Sequence, residues 1–193
     1  MRLRPVGDRA LLLDCDSLDE ARGWHAALAD ADAVMGARTV LLRGEPADLR
    51  ALVERTAPVD LETVDARTVE VPVVYDGEDL DEVASLTGLS ADEVVAAHTG
   101  SEWVAAFGGF APGFAYLVGG DPRLQVPRRS DPRTRVPAGS IGLAGEFSAV
   151  YPRSSPGGWQ LIGRTDLPTW DVRRDPPALV TAGTRVRFVV ADR

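Results

Sequence analysis

The pattern of apolar and polar residues divides the chain into a first part with helices and strands and a second part made of short strands. In the first part, two apolar runs have the composition of buried strands, and each is followed by an amphipathic segment with helical spacing. The strands are predicted at Arg9–Cys15 and Thr39–Leu42, and the helices begin at Ser17 and at Pro46. This order predicts a small ferredoxin-like α+β domain over residues 1–65, with a linker at 60–67.

The second part, residues 66–193, begins with a strand and two short helices and then loses all helical periodicity. The strand is predicted at Thr68–Tyr75, and the helices lie near Asp79–Thr87 and Ser90–His98. Ser90 with Glu93 forms a capping box, as Ser17 with Glu20 does in the first part. Further strands are predicted at Trp103–Phe107, Ser140–Leu143, Phe147–Tyr151, Gln160–Ile162 and Arg185–Val190. This density of strands and turns predicts a mostly-β, closed barrel.

The composition excludes several classes of chemistry. All 21 basic residues are arginine, so no lysine is present to serve a Walker A loop, a Schiff base or a kinase strand. Cys15 is the sole cysteine, which rules out an internal disulfide and a cysteine-built zinc site. No apolar run reaches the length of a membrane span or a signal peptide core, so we expect a cytoplasmic protein that inserts in no membrane.

The charge is unevenly distributed along the chain. The net charge of −8 argues against general nucleic-acid binding. Residues 1–110 carry a balance of −13, whereas residues 111–193 carry +5. An acidic half beside an arginine-rich half indicates that the chain contacts another protein.

Three segments of the second half are rich in groups that bind small molecules. Residues 108–117 place glycines between aromatic residues, which is typical of a flat pocket or of a tight turn over the core. Residues 126–140 contain four arginines stiffened by prolines, which suits either anion binding or a solvated basic loop. Residues 151–165 include Pro156-Gly157-Gly158-Trp159, where exposed amides could bind an anion, or a hairpin could simply precede a core tryptophan.

Other signatures are weak or missing. His98 ends a predicted helix and could be a general base, or a histidine that favours the helix dipole. Ser140 does not lie in a Gly-x-Ser-x-Gly elbow, and the glycines after it lack dinucleotide spacing. The sequence does not group Asp121, Asp131 and Glu146, so no metal site is predicted.

Taken in order, these segments resemble a known family. The carrying residues are Phe110-Ala-Pro-Gly-Phe-Ala-Tyr-Leu, Pro-Arg at 127–128 and 132–133, Val-Pro-Ala-Gly-Ser at 136–140, Tyr-Pro at 151–152, Pro-Gly-Gly-Trp at 156–159 and Gly-Arg-Thr at 163–165. They are similar to the B subunit of 5-oxoprolinase, a family also called allophanate hydrolase subunit 1 or KipI. The resemblance covers most of residues 70–190. It implies a small α+β domain followed by a cyclophilin-like β-barrel.

The resemblance also implies a function and a site. Family members act with a C subunit, of the allophanate hydrolase subunit 2 family, and with a third, A subunit. Together they open 5-oxoproline to glutamate at the expense of ATP, here expected with Mg²⁺ and bound by this chain or a partner. The implied catalytic residues are Arg128 and Arg133 as anion binders, with His98 and Tyr116 as polar groups of the cleft. The implied substrate-binding residues are Phe110, Pro112, Gly113, Phe114, Ser140, Tyr151, Gly157, Gly158, Trp159 and Arg164.

One stretch departs from the family pattern, and two other functions stay open. Where the family usually has Gln-Thr-Gly, this chain has Phe147, Ser148 and Ala149, so an amide that could touch substrate is replaced by an apolar ring. The first alternative is an amide-processing subunit of the allophanate hydrolase or urea carboxylase type. The second is an inhibitor of a sensor histidine kinase.

Overall fold

The computed structural model describes residues 1–60 and 67–192. The chain divides into two compact units, Met1–Asp65 and Ala66–Arg193. Residues 61–66 of the predicted linker lie outside the described residues. None of the helices in the described part is long and apolar enough to span a bilayer.

The N-terminal unit is an antiparallel sheet with two helices. Its elements are β1 (Arg2–Pro5), β2 (Ala10–Asp14), α1 (Leu18–Ala27), β3 (Ala33–Gly36), β4 (Thr39–Arg43) and α2 (Pro46–Glu54). The sheet order is β1-β2-β4-β3, and β4 is antiparallel to both neighbours, so β2, α1 and β3 form a split βαβ unit around it. The predicted order of strand, helix, strand, helix therefore lacked β1 and β3, which have four residues each and lack a continuous buried apolar run.

The core of this unit forms where the apolar pattern predicts it. Alternate residues of the central strands are buried, and the helices contribute their apolar positions to the same core. The buried residues include Leu11, Leu13, Ala21, Trp24, Val40, Leu42, Leu49 and Val53. Ser17 caps α1 by accepting a hydrogen bond from the Glu20 N–H at 3.1 Å, which satisfies a free donor of the first turn.

The C-terminal unit is a barrel-like sheet with two helices against it. Its elements are β5 (Thr68–Val73), α3 (Leu80–Thr87), α4 (Ala91–Gly100), β6 (Trp103–Gly108), β7 (Ala115–Val118), β8 (Arg133–Val136), β9 (Ser140–Ala144), β10 (Phe147–Val150), β11 (Ser155–Gly157), β12 (Gln160–Arg164) and β13 (Arg185–Val190). The main sheet has the order β12-β9-β10-β7-β6-β13-β5, and β8 pairs with β11 separately.

The ends of the main sheet meet and nearly close the barrel. The backbone N–H and C=O groups of Val74, just after β5, exchange hydrogen bonds of 2.9 Å with those of Arg164 in β12. Gly77 crosses directly over β12, where an added Cβ would lie 2.3 Å from the carbonyl oxygen of Leu161. Glycine is required at this crossing because no side chain fits there. The mostly-β, barrel-like prediction for the second half is confirmed.

The two faces of the sheet carry separate apolar clusters. One cluster fills the barrel interior with residues such as Leu117, Ile141 and Phe188, and the helices add Val83 and Val94 to it. The other cluster lies on the outer face. It comprises Phe114, Val136, Ala144, Ala149, Tyr151, Trp159 and Leu161, with Tyr116 and Phe147 packed against it. Because neighbouring strand residues face opposite ways, Leu117 is inside and Tyr116 is outside.

Candidate functional site

A cavity of about 160 Å³ lies at the outer-face cluster. It is lined by Phe110, Phe114, Tyr116, Arg128, Tyr151, Gly157, Gly158 and Trp159. Every residue in this lining belongs to the set implied by the sequence. An aromatic wall with one cationic side chain is the composition expected of a pocket for a small, flat anion.

The aromatic wall is held by ring packing from behind. The Phe114 ring meets Tyr151 and Trp159 edge to face, with centroids 5.4 and 5.5 Å apart. Tyr116 stacks on Phe107 at 4.4 Å. Such pairs lock ring orientations and add to the stability that burial supplies. The wall is therefore formed before any ligand binds.

Phe147 supports this wall without lining the cavity. Its ring packs edge to face on Tyr116 at 5.5 Å, and it borders a separate space of about 90 Å³ beside Trp103 and Gly145. The departure from the family pattern at residue 147 therefore lies outside the lining of the 160 Å³ cavity.

The loop between β6 and β7 forms one edge of the cavity. Phe110 has φ = +62°, a left-handed conformation that is strained for a bulky residue, and its side chain is 57% exposed. Gly113 has φ = +83°, and a Cβ there would lie 2.7 Å from Cβ of Trp170. Pro112 and Gly113 do not line the cavity; they shape the turn that presents Phe110, and their implied substrate contacts stay predictions.

The turn around β11 forms the opposite edge. A Cβ on Gly157 would lie 2.6 Å from the Tyr151 hydroxyl oxygen, so only glycine allows the chain to pass so close. Burial raises the pKa of Tyr151, although a hydrogen bond from the Trp159 backbone N–H and the charge of Arg128 oppose that effect. Tyr151 is therefore a neutral phenol at physiological pH.

Arg128 is the unpaired cation of the cavity. Its side chain is exposed, and it forms no hydrogen bond or ion pair with any residue in 1–60 or 67–192. The next residue anchors the loop, because the Arg129 N–H donates to the carbonyl oxygen of Gly158 at 2.8 Å. The backbone thus holds a free guanidinium beside the glycine edge.

Arg133 is placed differently from the expectation. Its guanidinium donates to Asp79 Oδ1 at 2.7 Å and to Glu78 Oε2 at 3.1 Å, and it does not line the cavity. Arg133 was expected to bind an anionic ligand; here its Nε and Nη2 pair with Glu78 and Asp79, and its role as an anion binder stays a prediction. Its remaining nitrogen, Nη1, is buried without a partner among the described residues.

Asp79 organises this part of the site and was not among the expected site residues. Its side chain is 4% exposed and also accepts from Arg129 Nη1 and from the Leu161 N–H, each at 2.7 Å. Burial opposes ionisation of Asp79, but the hydrogen bonds from Arg133 and Leu161 outweigh it and lower the pKa of this carboxyl. In the sequence Asp79 is marked by its place at the start of a predicted helix and by the Asp79-Leu80 pair, which fits the family pattern, but neither signal indicates a role in the site.

His98 does not reach the cavity. It is fully buried in the barrel interior and stacks on Phe188 at 4.2 Å. The Tyr75 hydroxyl lies 2.7 Å from Nδ1, and Ser148 Oγ lies 3.0 Å from Nε2. Burial lowers the pKa of His98 to about 3, so the ring stays neutral. The expected role as a polar group of the cleft is wrong, because the ring faces the core.

Ser140 and Arg164 are also absent from the lining of the cavity. Ser140 is buried at the start of β9, where its carbonyl oxygen accepts from the Tyr151 N–H at 2.9 Å. Arg164 lies at the barrel closure and donates to Asp76 at 3.2 Å. Both residues contribute to the sheet, and their implied substrate contacts stay predictions.

A family model and several known proteins match this chain. Residues 1–180 match the family model of the carboxyltransferase domain, subdomain C and D. The chain is 50% identical over 129 residues to the 5-oxoprolinase B subunit of Bacillus subtilis (strain 168), which covers 65% of this chain and 54% of that protein. It is 39% identical over 150 residues to the 5-oxoprolinase B subunit of Haemophilus influenzae, and this match covers 74% of this chain and 70% of that protein. It spans about half the length of the Bacillus protein.

A more distant enzyme and a solved structure are also similar. Urea amidolyase of Saccharomyces cerevisiae is 33% identical over 95 residues, which is 48% of this chain and 5% of that enzyme. The conserved uncharacterized protein PH0987 from Pyrococcus horikoshii has a TM-score of 0.63 at 34% identity, and the match covers 100% of this chain and 98% of that one.

Proposed function

The chain belongs to the carboxyltransferase subdomain C and D family and is similar to 5-oxoprolinase B subunits, and on that basis we propose that it is the B subunit of a 5-oxoprolinase. In this role it acts in a hydrolase complex that opens the cyclic amide of 5-oxoproline to glutamate, coupled to ATP hydrolysis. The observation that carries the proposal is the aromatic cavity with the unpaired Arg128.

The cavity suits the substrate by charge. The guanidinium of Arg128 offers two parallel N–H groups that match a carboxylate, and the glycine edge at 157–158 lets a ligand approach the backbone closely. Such charge-assisted bonds are strong when water is displaced.

The cavity also suits the substrate by shape. The flat lactam ring lies against Phe114 and Trp159, with Phe110 over its open side. The neutral Tyr151 hydroxyl is available as a hydrogen-bond donor to the lactam oxygen. The role of this chain is therefore to hold and orient the substrate.

The nucleotide is held elsewhere in the complex. Pockets for drug-sized ligands occupy roughly 300–1,000 Å³, and this cavity of about 160 Å³ is too small for ATP. The amide is inert, so ATP with Mg²⁺ supplies the activation of its oxygen. We assign that binding to the A or the C protein of the complex. The naming of the relatives as B subunits and the uneven charge of the chain support such a complex.

The finer fold assignments belong to the same proposal. The split βαβ arrangement of β2, α1, β3 and β4 supports a ferredoxin-like N-terminal domain over residues 1–65, with β1 in the position of the fourth strand. The nearly closed β-sheet with its two helices supports a cyclophilin-like barrel over 66–193.

An allophanate or urea substrate is the second candidate, because urea amidolyase is among the relatives. Reconstitution tests both. The chain is combined with the A and C proteins of the complex from its host, and release of ADP is measured with 5-oxoproline, urea or allophanate. We expect ADP release and glutamate formation with 5-oxoproline only when the chain is present. Turnover of urea or allophanate alone would instead support the second candidate, and no turnover of any substrate would refute both.

A further inference from the structure

The cavity is flanked by three arginines, and they differ in their partners. Arg128 lines the cavity, whereas Arg129 and Arg133 turn towards the start of α3. Arg133 is nevertheless close, because it pairs with the cavity residue Gly157 in the β8–β11 ladder. A ligand in the cavity would therefore meet three positive charges if the carboxylates of Glu78 and Asp79, just before α3, were absent.

These carboxylates neutralise two of the arginines. Asp79 Oδ1 lies 2.7 Å from a nitrogen of each of Arg129 and Arg133, and Glu78 lies 3.1 Å from Arg133. The Asp79 side chain is 4% exposed, so solvent screens these pairs less than surface pairs. Arg128 has no such counter-charge in the described chain.

We propose that Asp79, supported by Glu78, determines the specificity of the cavity: by neutralising Arg129 and Arg133, it leaves one free guanidinium and makes the site select a singly charged carboxylate over polyphosphates. This inference rests on the proposed function, since it concerns the same cavity. Asp79 acts through the arginines and has no contact with substrate. The cavity discriminates against polyphosphates because two of its three neighbouring arginines are neutralised and do not attract them.

The same contacts give Asp79 a second effect on the site. Oδ2 accepts from the N–H of Leu161 in β12, two residues after Trp159, while Oδ1 holds the loop that carries Arg128. The carboxylate therefore fixes the arginine loop against β12, the strand that directly follows Trp159. Loss of the negative charge at residue 79 should alter which ligands the cavity prefers. Loss of the hydrogen bonds that hold the arginine loop should instead weaken the binding of every ligand.

The test compares Asp79→Asn with Glu82→Gln in the whole chain at low salt. Glu82 is an exposed acid on α3 without an ion pair among the described residues, so its loss changes the net charge equally. The probes are 5-oxoproline and inorganic tripolyphosphate, measured by calorimetry. We expect Asp79→Asn to raise the affinity for tripolyphosphate about tenfold or more, and Glu82→Gln to change it less than about twofold. Equal changes in both variants would overturn the inference.

A second variant and a separate readout keep the outcomes distinct. Glu78 is largely exposed, so Glu78→Gln should fold even where Asp79→Asn does not. It should raise tripolyphosphate affinity in the same direction by a smaller factor, and no rise would count against the inference. Failure of 5-oxoproline to bind the unmodified chain would refute the proposed function, whereas unchanged selectivity beside normal 5-oxoproline binding would refute only the role of Asp79.

Discussion

Gly163 leaves no room for a side chain beside Val74: a Cβ on Gly163 would lie 2.6 Å from the Val74 carbonyl oxygen and 2.8 Å from Cγ1 of Val73. These residues lie where the ends of the sheet join through the Val74–Arg164 pair. The closure of the barrel therefore depends on a backbone approach that only glycine permits.

The first prediction concerns this closure. Gly163→Ala should destabilise the C-terminal unit by about 2–3 kcal/mol, because the methyl group meets backbone atoms that cannot move aside. Gly100→Ala is the matched control, since a Cβ at that end of α4 has nothing within 4 Å. Urea unfolding followed by circular dichroism measures both. A loss for Gly163→Ala no larger than that for Gly100→Ala would contradict this account of the closure.

The second prediction concerns the strained turn at Phe110. Glycine adopts φ = +62° freely, whereas alanine at a left-handed position costs about 1–2 kcal/mol. Phe110→Gly should therefore be more stable than Phe110→Ala by about 1 kcal/mol, the reverse of their usual order. Thermal unfolding gives the comparison. If the alanine variant proved the more stable, the positive φ at this position would be wrong.

The same two variants should behave alike towards ligand. Both remove the ring that covers the cavity, so both should weaken 5-oxoproline binding by a similar factor. A large difference in affinity between them would show that backbone conformation, and not the ring, governs the contact.

The third prediction concerns pH and the buried His98. Its pKa is lowered from 6.5 to about 3 in the folded chain, so below pH 6.5 the unfolded state takes up a proton that the folded state does not. This difference in proton uptake has no effect on the free energy of unfolding well above pH 6.5. As the pH falls below 6.5, it lowers the free energy of unfolding by up to about 1.4 kcal/mol per pH unit. Between pH 6 and 5, His98→Gln should therefore lose less stability than the unmodified chain.

Urea unfolding at several pH values checks this. Above pH 7 the two proteins should show the same pH dependence, which serves as the internal control. Equal slopes between pH 6 and 5 would mean that folding does not lower the pKa of His98, contrary to its fully buried position.

The family resemblance rests on local signals. Phe114, Gly157 and Trp159 stand within short segments whose composition alone left a tight turn or a hairpin open, and the structure places all three at the cavity. The partners of the arginines could not be predicted in this way. Asp79 and Arg133 are 54 positions apart, and only the folded barrel brings them together.

The secondary structure was likewise predictable where its signals are local and not where it depends on distant partners. The capping box of Ser90 and Glu93 forms as predicted, with hydrogen bonds of 2.8 and 3.2 Å. Strands β8 and β11 were not predicted: β8 is a short arginine-rich stretch between Pro132 and Pro137, and β11 is Ser-Pro-Gly, a sequence typical of a turn. They become strands by pairing with each other, and this pairing carries the arginine loop across the outer face.

The central claim is that Arg128 binds the carboxylate of a small substrate in the aromatic cavity. Calorimetric titration of the chain with 5-oxoproline tests it most directly, using Arg128→Ala and, as matched control, Arg153→Ala, an exposed arginine outside the lining. Loss of a charge-assisted pair costs about 1.5–3 kcal/mol, so Arg128→Ala should weaken binding about ten- to hundredfold. Arg153→Ala should leave binding unchanged. Equal binding of 5-oxoproline by Arg128→Ala and the unmodified chain would contradict the account.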